Sequence, residues 1–253
     1  MREKRGQVTI FIITALVLVV VAILFFLLYP QIKSTLGLDT KNPNQFIQDC
    51  LEENIEIAKE KIALQGGSAN PEHDFLYGNE KIEYLCYNEE YYQMCIVQQP
   101  LLKRHIEEEI KKEISEDVQT CFDDLASDFE RRGYDVSLNK GDFEIELLPE
   151  RIVAKFDTSL TLKKDAKEEY KSFSVIVNDN LYELISIANS IISMEAKYGD
   201  SESTVYMNYY HDLKVDKQKQ SDGTTIYILT DRNTDDKFQF ATRSLAWPPG
   251  YAI

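Results

Sequence analysis

Histidine is scarce in this chain: His73, His105 and His211 are the only three in 253 residues. None stands in an HExxH pattern, and the four cysteines, Cys50, Cys86, Cys95 and Cys121, form no CxxC pair. The ligand spacing of a zinc site is therefore missing. No glycine-rich phosphate loop, dinucleotide fingerprint or EF-hand pattern occurs, so the sequence calls for no metal, no cofactor and no small-molecule substrate. No serine or cysteine lies in a nucleophile motif. None of the twelve asparagines opens an Asn-x-Ser/Thr sequon, so N-glycosylation is not indicated. Arginine is sparse, eight against twenty lysines, which argues against the lysine-poor surface of an extreme halophile.

Charge is missing altogether from Gln7 to Gln31, and Val8 to Leu28 is almost wholly apolar. As a helix those residues would be about 31 Å long, the thickness of a bilayer hydrocarbon core. A secretory signal has an apolar core of only about 7–15 residues and a small-residue cleavage site. This run is longer and ends in Leu-Leu-Tyr-Pro. The sequence thus predicts a single membrane span. Arg2, Lys4 and Arg5 precede it, which places the N-terminus in the cytoplasm and the bulk of the chain outside the cell membrane.

The junction Lys4-Arg5-Gly6-Gln7-Val8-Thr9 resembles the class III, prepilin-type signal of archaeal pilins and archaellins. The resemblance covers about the first 30 residues and implies cleavage on the cytoplasmic side between Gly6 and Gln7. The apolar run would then stay on the mature protein as an anchor or assembly helix. An uncleaved signal anchor is the other reading of the same residues, and both stay open. The opening KRGQVTIFII also resembles that of archaeal membrane-anchored surface proteins. Two features depart from pilins. Pro30, Gly37 and Pro43 interrupt any continuation of the helix, and Phe11 stands where bacterial pilins carry a glutamate.

The chain carries a net charge of −15, and residues 1–31 hold three bases and one acid, which leaves −17 for the remainder. Such a surface repels nucleic acid and anionic headgroups. It is compatible with basic partners. An even cysteine count outside the membrane permits disulfides. Cys86 and Cys95 flank a stretch that reads as a hairpin tip, where cross-strand Cα distances suit a disulfide. Cys50 and Cys121 fall on the apolar sides of two predicted helices. The expected pairs are Cys86–Cys95 and Cys50–Cys121, with four buried thiols as the alternative.

Apolar spacing predicts a helix over about 45–64 and a second, long one from Pro100 to just before Gly133. The period then changes to two, predicting strands over 143–147, 152–162 and 172–177. A helix over 179–197 follows, then strands over 204–215, 224–230 and 237–244. The predicted fold is α+β: an N-terminal transmembrane helix, then an ectodomain of long helices packed on antiparallel sheet. The corresponding parts are a basic cytoplasmic segment (1–7), the span (8–29), a linker (30–44), a helical part with a β-hairpin (45–133) and an antiparallel part with one helix (134–253).

Dispersed side chains offer little chemistry. His105 and Glu109 have i,i+4 spacing and are expected to be solvated on a charged helix face. His211 is expected to end a strand. Asp231, Asp235 and Asp236 lack the alternating ligands of an EF-hand and read as a turn. Fifteen tyrosines are present. Tyr87, Tyr91 and Tyr92, at the hairpin, are the candidate contact residues, because tyrosine buries area at low entropy cost and keeps a polar tip. These observations lead to a non-catalytic, membrane-anchored extracytoplasmic protein that acts by protein–protein contact, alone or as a pilin-like component. The alternative is a surface hydrolase built from dispersed carboxylates.

Overall fold

A computed structural model describes residues 42–248. The expected span Val8–Leu28 and the Gly6–Gln7 junction lie outside the described residues. Residues 43–248 form one compact unit. Its elements in chain order are α1 (Pro43–Leu64), β1 (Asp74–Tyr77), β2 (Glu80–Tyr87), β3 (Ile96–Val97), α2 (Leu102–Glu113), α3 (Ser115–Arg131), β4 (Asp135–Asn139) and β5 (Phe143–Leu148). Then follow β6 (Arg151–Phe156), β7 (Ser159–Lys163), β8 (Lys167–Tyr170), β9 (Phe173–Asn178), α4 (Leu181–Tyr198), α5 (Ser203–Tyr209), β10 (Leu213–Lys219), β11 (Thr224–Asp231) and β12 (Lys237–Arg243).

The expected fold class is corrected by this architecture. Sheets dominate, with twelve strands against five helices among the described residues. No helix among them is long and apolar enough to cross a membrane. The sheets are not purely antiparallel either, because β12 runs parallel to β2. That pairing joins strands from both halves of the unit into one six-stranded sheet ordered β1-β2-β12-β11-β10, with β3 beside β2. Two three-stranded antiparallel sheets, β4-β7-β8 and β5-β6-β9, complete the set.

Specific residues explain where the expected helices and strands fail. The long helix predicted from Pro100 breaks at Ile114 into α2 and α3. Ser115 Oγ donates to the Lys111 carbonyl at 2.7 Å, a back-bond that bends helices. Glu116 and Asp117 then sit in the first turn of α3, where the helix dipole favours acids. The strand predicted over 204–215 is divided. Its first part is helix α5, started by Glu202, whose side chain accepts from the Thr204 amide. Local capping there outweighs the β-propensity of Val205 and Tyr206.

Helix α1 organises the core through the stripe predicted from its spacing: Ile47, Leu51, Ile55, Ala58 and Ile62 are all buried. The helix packs on β9, α3, β12 and α2. Cys50 of α1 is disulfide-bonded to Cys121 of α3, with Cα atoms 6.1 Å apart. Polar pins supplement this. Lys59 of α1 reaches Asp179 at 2.6 Å and Asp236 at 2.7 Å. Burial alone would depress the Lys59 pKa, but the two carboxylates outweigh it and raise it. A second, smaller apolar cluster of Ile82, Tyr84, Ile226 and Ala241, with Phe75 and Tyr87 packed against it, lies apart from the main core.

Candidate functional site

The second disulfide, Cys86–Cys95, closes the loop between β2 and β3, with Cα atoms 5.3 Å apart. Cys86 is registered opposite Val97, so the bond ties the loop two residues before its natural strand partner. Within the loop, Asn88 Nδ2 donates to the Met94 carbonyl at 2.9 Å, while Asn88 Oδ1 accepts from the Glu90 amide at 2.9 Å. The loop is also zipped to the segment that follows β12. Asn88 N donates to Arg243 O, Tyr92 N to Ala246 O and Leu245 N to Gln93 O.

Arg243 is the buried hub of this region. Its Nη1 donates to the carbonyls of Asn88 and Glu89, and its Nε donates to the Asp222 carbonyl at 3.1 Å. The guanidinium also lies 5.3 Å from the Tyr91 ring and 6.0 Å from that of Tyr87. A planar fork serving several carbonyls is a role that lysine cannot fill.

Two glycines let the C-terminal segment come close. A Cβ on Gly199 would sit 2.7 Å from Leu245 Cβ, and one on Gly223 would sit 2.5 Å from Ala246 Cβ. Both also have positive φ, which other residues rarely adopt. Tyr92 and Leu245 themselves hold left-handed φ of 62° and 48°. Such positions cost about 1 kcal/mol or more for non-glycine residues, and the surrounding hydrogen bonds hold them.

The outcome is an exposed aromatic platform. Tyr91 is 41% exposed, Tyr92 50% and Trp247 51%. The Tyr92 and Trp247 rings meet edge-on at 5.0 Å. Tyr87 is only half-buried at the surface; its ring packs edge-on against His73 and Tyr84, at 4.2 Å and 4.8 Å. Of the three tyrosines singled out from sequence, Tyr91 and Tyr92 therefore carry the outer face and Tyr87 supports it. Arg243 and Trp247 were not singled out. Trp247 is the only tryptophan in the chain, a signal that was available, whereas nothing local marks Arg243.

Beside the platform is a cavity of about 530 Å³, lined in part by Asp200, Lys219, Ser221, Thr225 and Trp247. Asp200 is paired with Lys217, and Lys219 lies 3.5 Å away. Burial would raise the Asp200 carboxyl, but these lysines hold it below the usual carboxylate range. Below lies a buried pair: Tyr227 Oη donates to Glu195 Oε1. Burial pushes the Glu195 carboxyl up, against the opposing hydrogen bond from Tyr227.

Nucleophile-type groups meet at another place. Ser68 Oγ donates to Glu83 Oε2 at 2.5 Å and lies 2.7 Å from His105 Nε2. Glu109 Oε2 accepts from the Ala69 amide at 2.8 Å. His105 and Glu109 therefore share one task, gripping the turn after α1, rather than standing solvated as their spacing suggested. A hydroxyl has one proton, so with Glu83 as acceptor His105 acts as donor to Ser68. Among the described residues no carboxylate contacts Nδ1 of His105 to orient it as a base. Ser68 and Glu83 are both buried, and the cluster's evident work is to satisfy a buried carboxylate.

The acidic turn after β11 is likewise committed internally. Asp231 accepts from the Asn233 amide and from Asn180 Nδ2, and Asp236 holds Lys59. Among the described residues no group of three or more His, Cys, Asp or Glu is placed to hold a metal ion. No family model, no curated protein and no solved structure matches this chain.

Proposed function

We propose that this protein is a non-catalytic, membrane-anchored extracytoplasmic protein that engages a protein partner through the aromatic platform of Tyr91, Tyr92 and Trp247. The observation that carries the reading is the rigidity of that platform. A disulfide, the Arg243 fork and four backbone or side-chain bonds from the loop to residues 243–246 hold exposed aromatic rings in one geometry. Preorganised aromatics lose little entropy on binding, and they dominate the energetics of contact surfaces. Two disulfides support an oxidising compartment. The uncharged run Val8–Leu28 supports anchoring, with the basic residues before it setting the orientation.

Site-specific photocrosslinking in native membranes tests this. A photoreactive phenylalanine analogue replacing Tyr91 or Tyr92 is expected to yield one discrete adduct, suppressed when Trp247 is changed to alanine. The same analogue at Glu169, on β8, is expected to yield none. Equal adduct patterns at all three positions would remove the platform as the contact site.

A further inference from the structure

We propose that the cavity beside Trp247 binds a neutral saccharide of one or two rings. At about 530 Å³ it lies within the range of small-molecule sites. Its chemistry decides the class. The only two charged side chains lining it are Asp200 and Lys219, which lie 3.5 Å apart, and Asp200 is also paired with Lys217. One carboxylate thus meets two ammoniums, and Lys217 is further committed to the Ser201 carbonyl at 2.9 Å. A cation would find no unmatched acid, and the one charge in excess, on Lys219, is 68% exposed and screened by solvent, which leaves little hold on an anion.

The remaining lining mixes polar side chains, among them Gln220, Ser221 and Thr225, with the apolar Leu245, Ala246 and Trp247. A lipid chain would cover the hydroxyls of that wall without giving them partners. Thr224 and Ser244 already spend their hydroxyls internally, on Tyr84 with Asp222 and on the Glu195 carbonyl. The Ser221 and Thr225 hydroxyls and the second Asp200 oxygen are left for a ligand, whereas Gln220 Nε2 donates to the Gln218 carbonyl at 3.5 Å. A carboxylate accepting from vicinal hydroxyls makes the stronger, charge-assisted kind of hydrogen bond.

One wall is Trp247, half-exposed and set by the perpendicular Tyr92 ring. A pyranose has an apolar C–H face and a rim of hydroxyls. It therefore matches a flat indole on one side and a polar wall on the other, each surface meeting its own kind. The site differs from the protein-contact platform in its ligand, although Trp247 borders both. Free sugar tests it without any partner protein.

The chain's single tryptophan makes the experiment direct. Full-length protein, excited where tyrosine does not absorb, is titrated with cellobiose, maltose, mannobiose and chitobiose. At least one is expected to give a saturable shift in Trp247 emission, with a dissociation constant in the range of about 0.1–10 mM. Asp200→Asn is expected to weaken that binding about tenfold. Ser221→Val, at an exposed turn position, is expected to weaken it measurably even if Asp200→Asn fails to fold. Glu169→Gln, far along the chain on β8, is expected to leave it unchanged. Absence of any shift with all four sugars up to about 50 mM would overturn the proposal. So would a shift given by glucuronate or by a tyrosine-rich peptide and by none of the neutral sugars.

Discussion

Gln48 and Ile176 form a two-point hydrogen-bond pair in which a side chain stands in for a missing strand. Gln48 Nε2 donates to the Ile176 carbonyl at 2.9 Å, and the Ile176 amide donates to Gln48 Oε1 at 3.0 Å. Ile176 lies on β9, an edge of the β5-β6-β9 sheet. The opposite edge is served in the same way: Glu107 Oε1, on α2, accepts from the Leu147 amide of β5 at 2.8 Å. An open edge presents unpaired amides and carbonyls that template association. Here α1 and α2 each occupy one with a polar side chain.

Replacing Gln48 by alanine is expected to cost about 1 kcal/mol, the net worth of a hydrogen bond or somewhat more. For a unit of this size that lowers Tm by about 2–4 °C. Hydrogen exchange at the Ile176 amide should accelerate more than at Val175 or Val177. Combined with Glu107→Ala, the change should raise the oligomer fraction in size-exclusion chromatography. Unchanged exchange at Ile176 would mean that the helix covers the edge without needing the amide.

The two disulfides differ in the loops they close, spanning 71 and 9 residues. In the chain-entropy account, cross-linking the longer loop removes more freedom from the unfolded state. The expected contributions are about 4 kcal/mol for Cys50–Cys121 and about 3 kcal/mol for Cys86–Cys95. Denaturant unfolding of Cys50→Ala/Cys121→Ala and Cys86→Ala/Cys95→Ala should therefore rank in that order. Peptide mapping without reductant should recover only these two pairings. Four alkylatable thiols in protein from its native membrane would contradict both.

Legibility in the sequence followed how local each determinant is. The stripe from Ile47 to Ile62 and the alternation in Phe143–Leu147 are written in neighbouring residues, so α1 and β5 were readable. So was the turn at Ser221-Asp222-Gly223 between β10 and β11. Strand β8 was not, because Lys167–Tyr170 is an exposed polar edge without an apolar period. The parallel pairing of β2 with β12 joins residues more than a hundred positions apart, and no short window encodes it. The candidate site shares this fate. Tyr91 and Tyr92 stood out by type, but Arg243 gains its meaning from carbonyls at Asn88, Glu89 and Asp222, which sequence proximity does not reveal. Ser68, Glu83 and His105 likewise come from a loop, a strand and a helix that are separate in the chain.

Arg243 predicts how the loop should loosen. Arg243→Lys keeps the charge and loses the fork that serves Asn88, Glu89 and Asp222 together. Losing donors to these part-buried carbonyls costs about 1 kcal/mol. Hydrogen exchange in 88–95 and in 243–247 should rise together, while the Cys86–Cys95 bond persists. Protection in the β5-β6-β9 sheet should not change. A uniform loss across the whole unit would instead make Arg243 a general core residue.

Glu195 sets a pH dependence whose sign follows from burial. The residue is 2% exposed on α4, and its carboxyl is held above the reference value of 4.5, by desolvation against the opposing Tyr227 bond and Lys217 charge. A folded-state pKa raised in this way favours the protonated form in the fold. Its contribution to stability is fully present below about pH 4.5 and is lost as the pH rises through the raised value. Glu195→Gln keeps an oxygen to accept from Tyr227 and never ionises. The variant should match the parent under acid conditions and exceed it as the pH rises above about 4.5, until the buried carboxyl is fully ionised. The gain would be read as a rise in Tm of the variant over the parent that grows with pH and then levels off. The neighbouring charges sharpen the test, since Lys217 lies 5.5 Å from the Tyr227 ring centre and pairs with Asp200. If Lys217 and Lys219 instead compensated the buried carboxylate fully, the difference in Tm would be flat across the pH range.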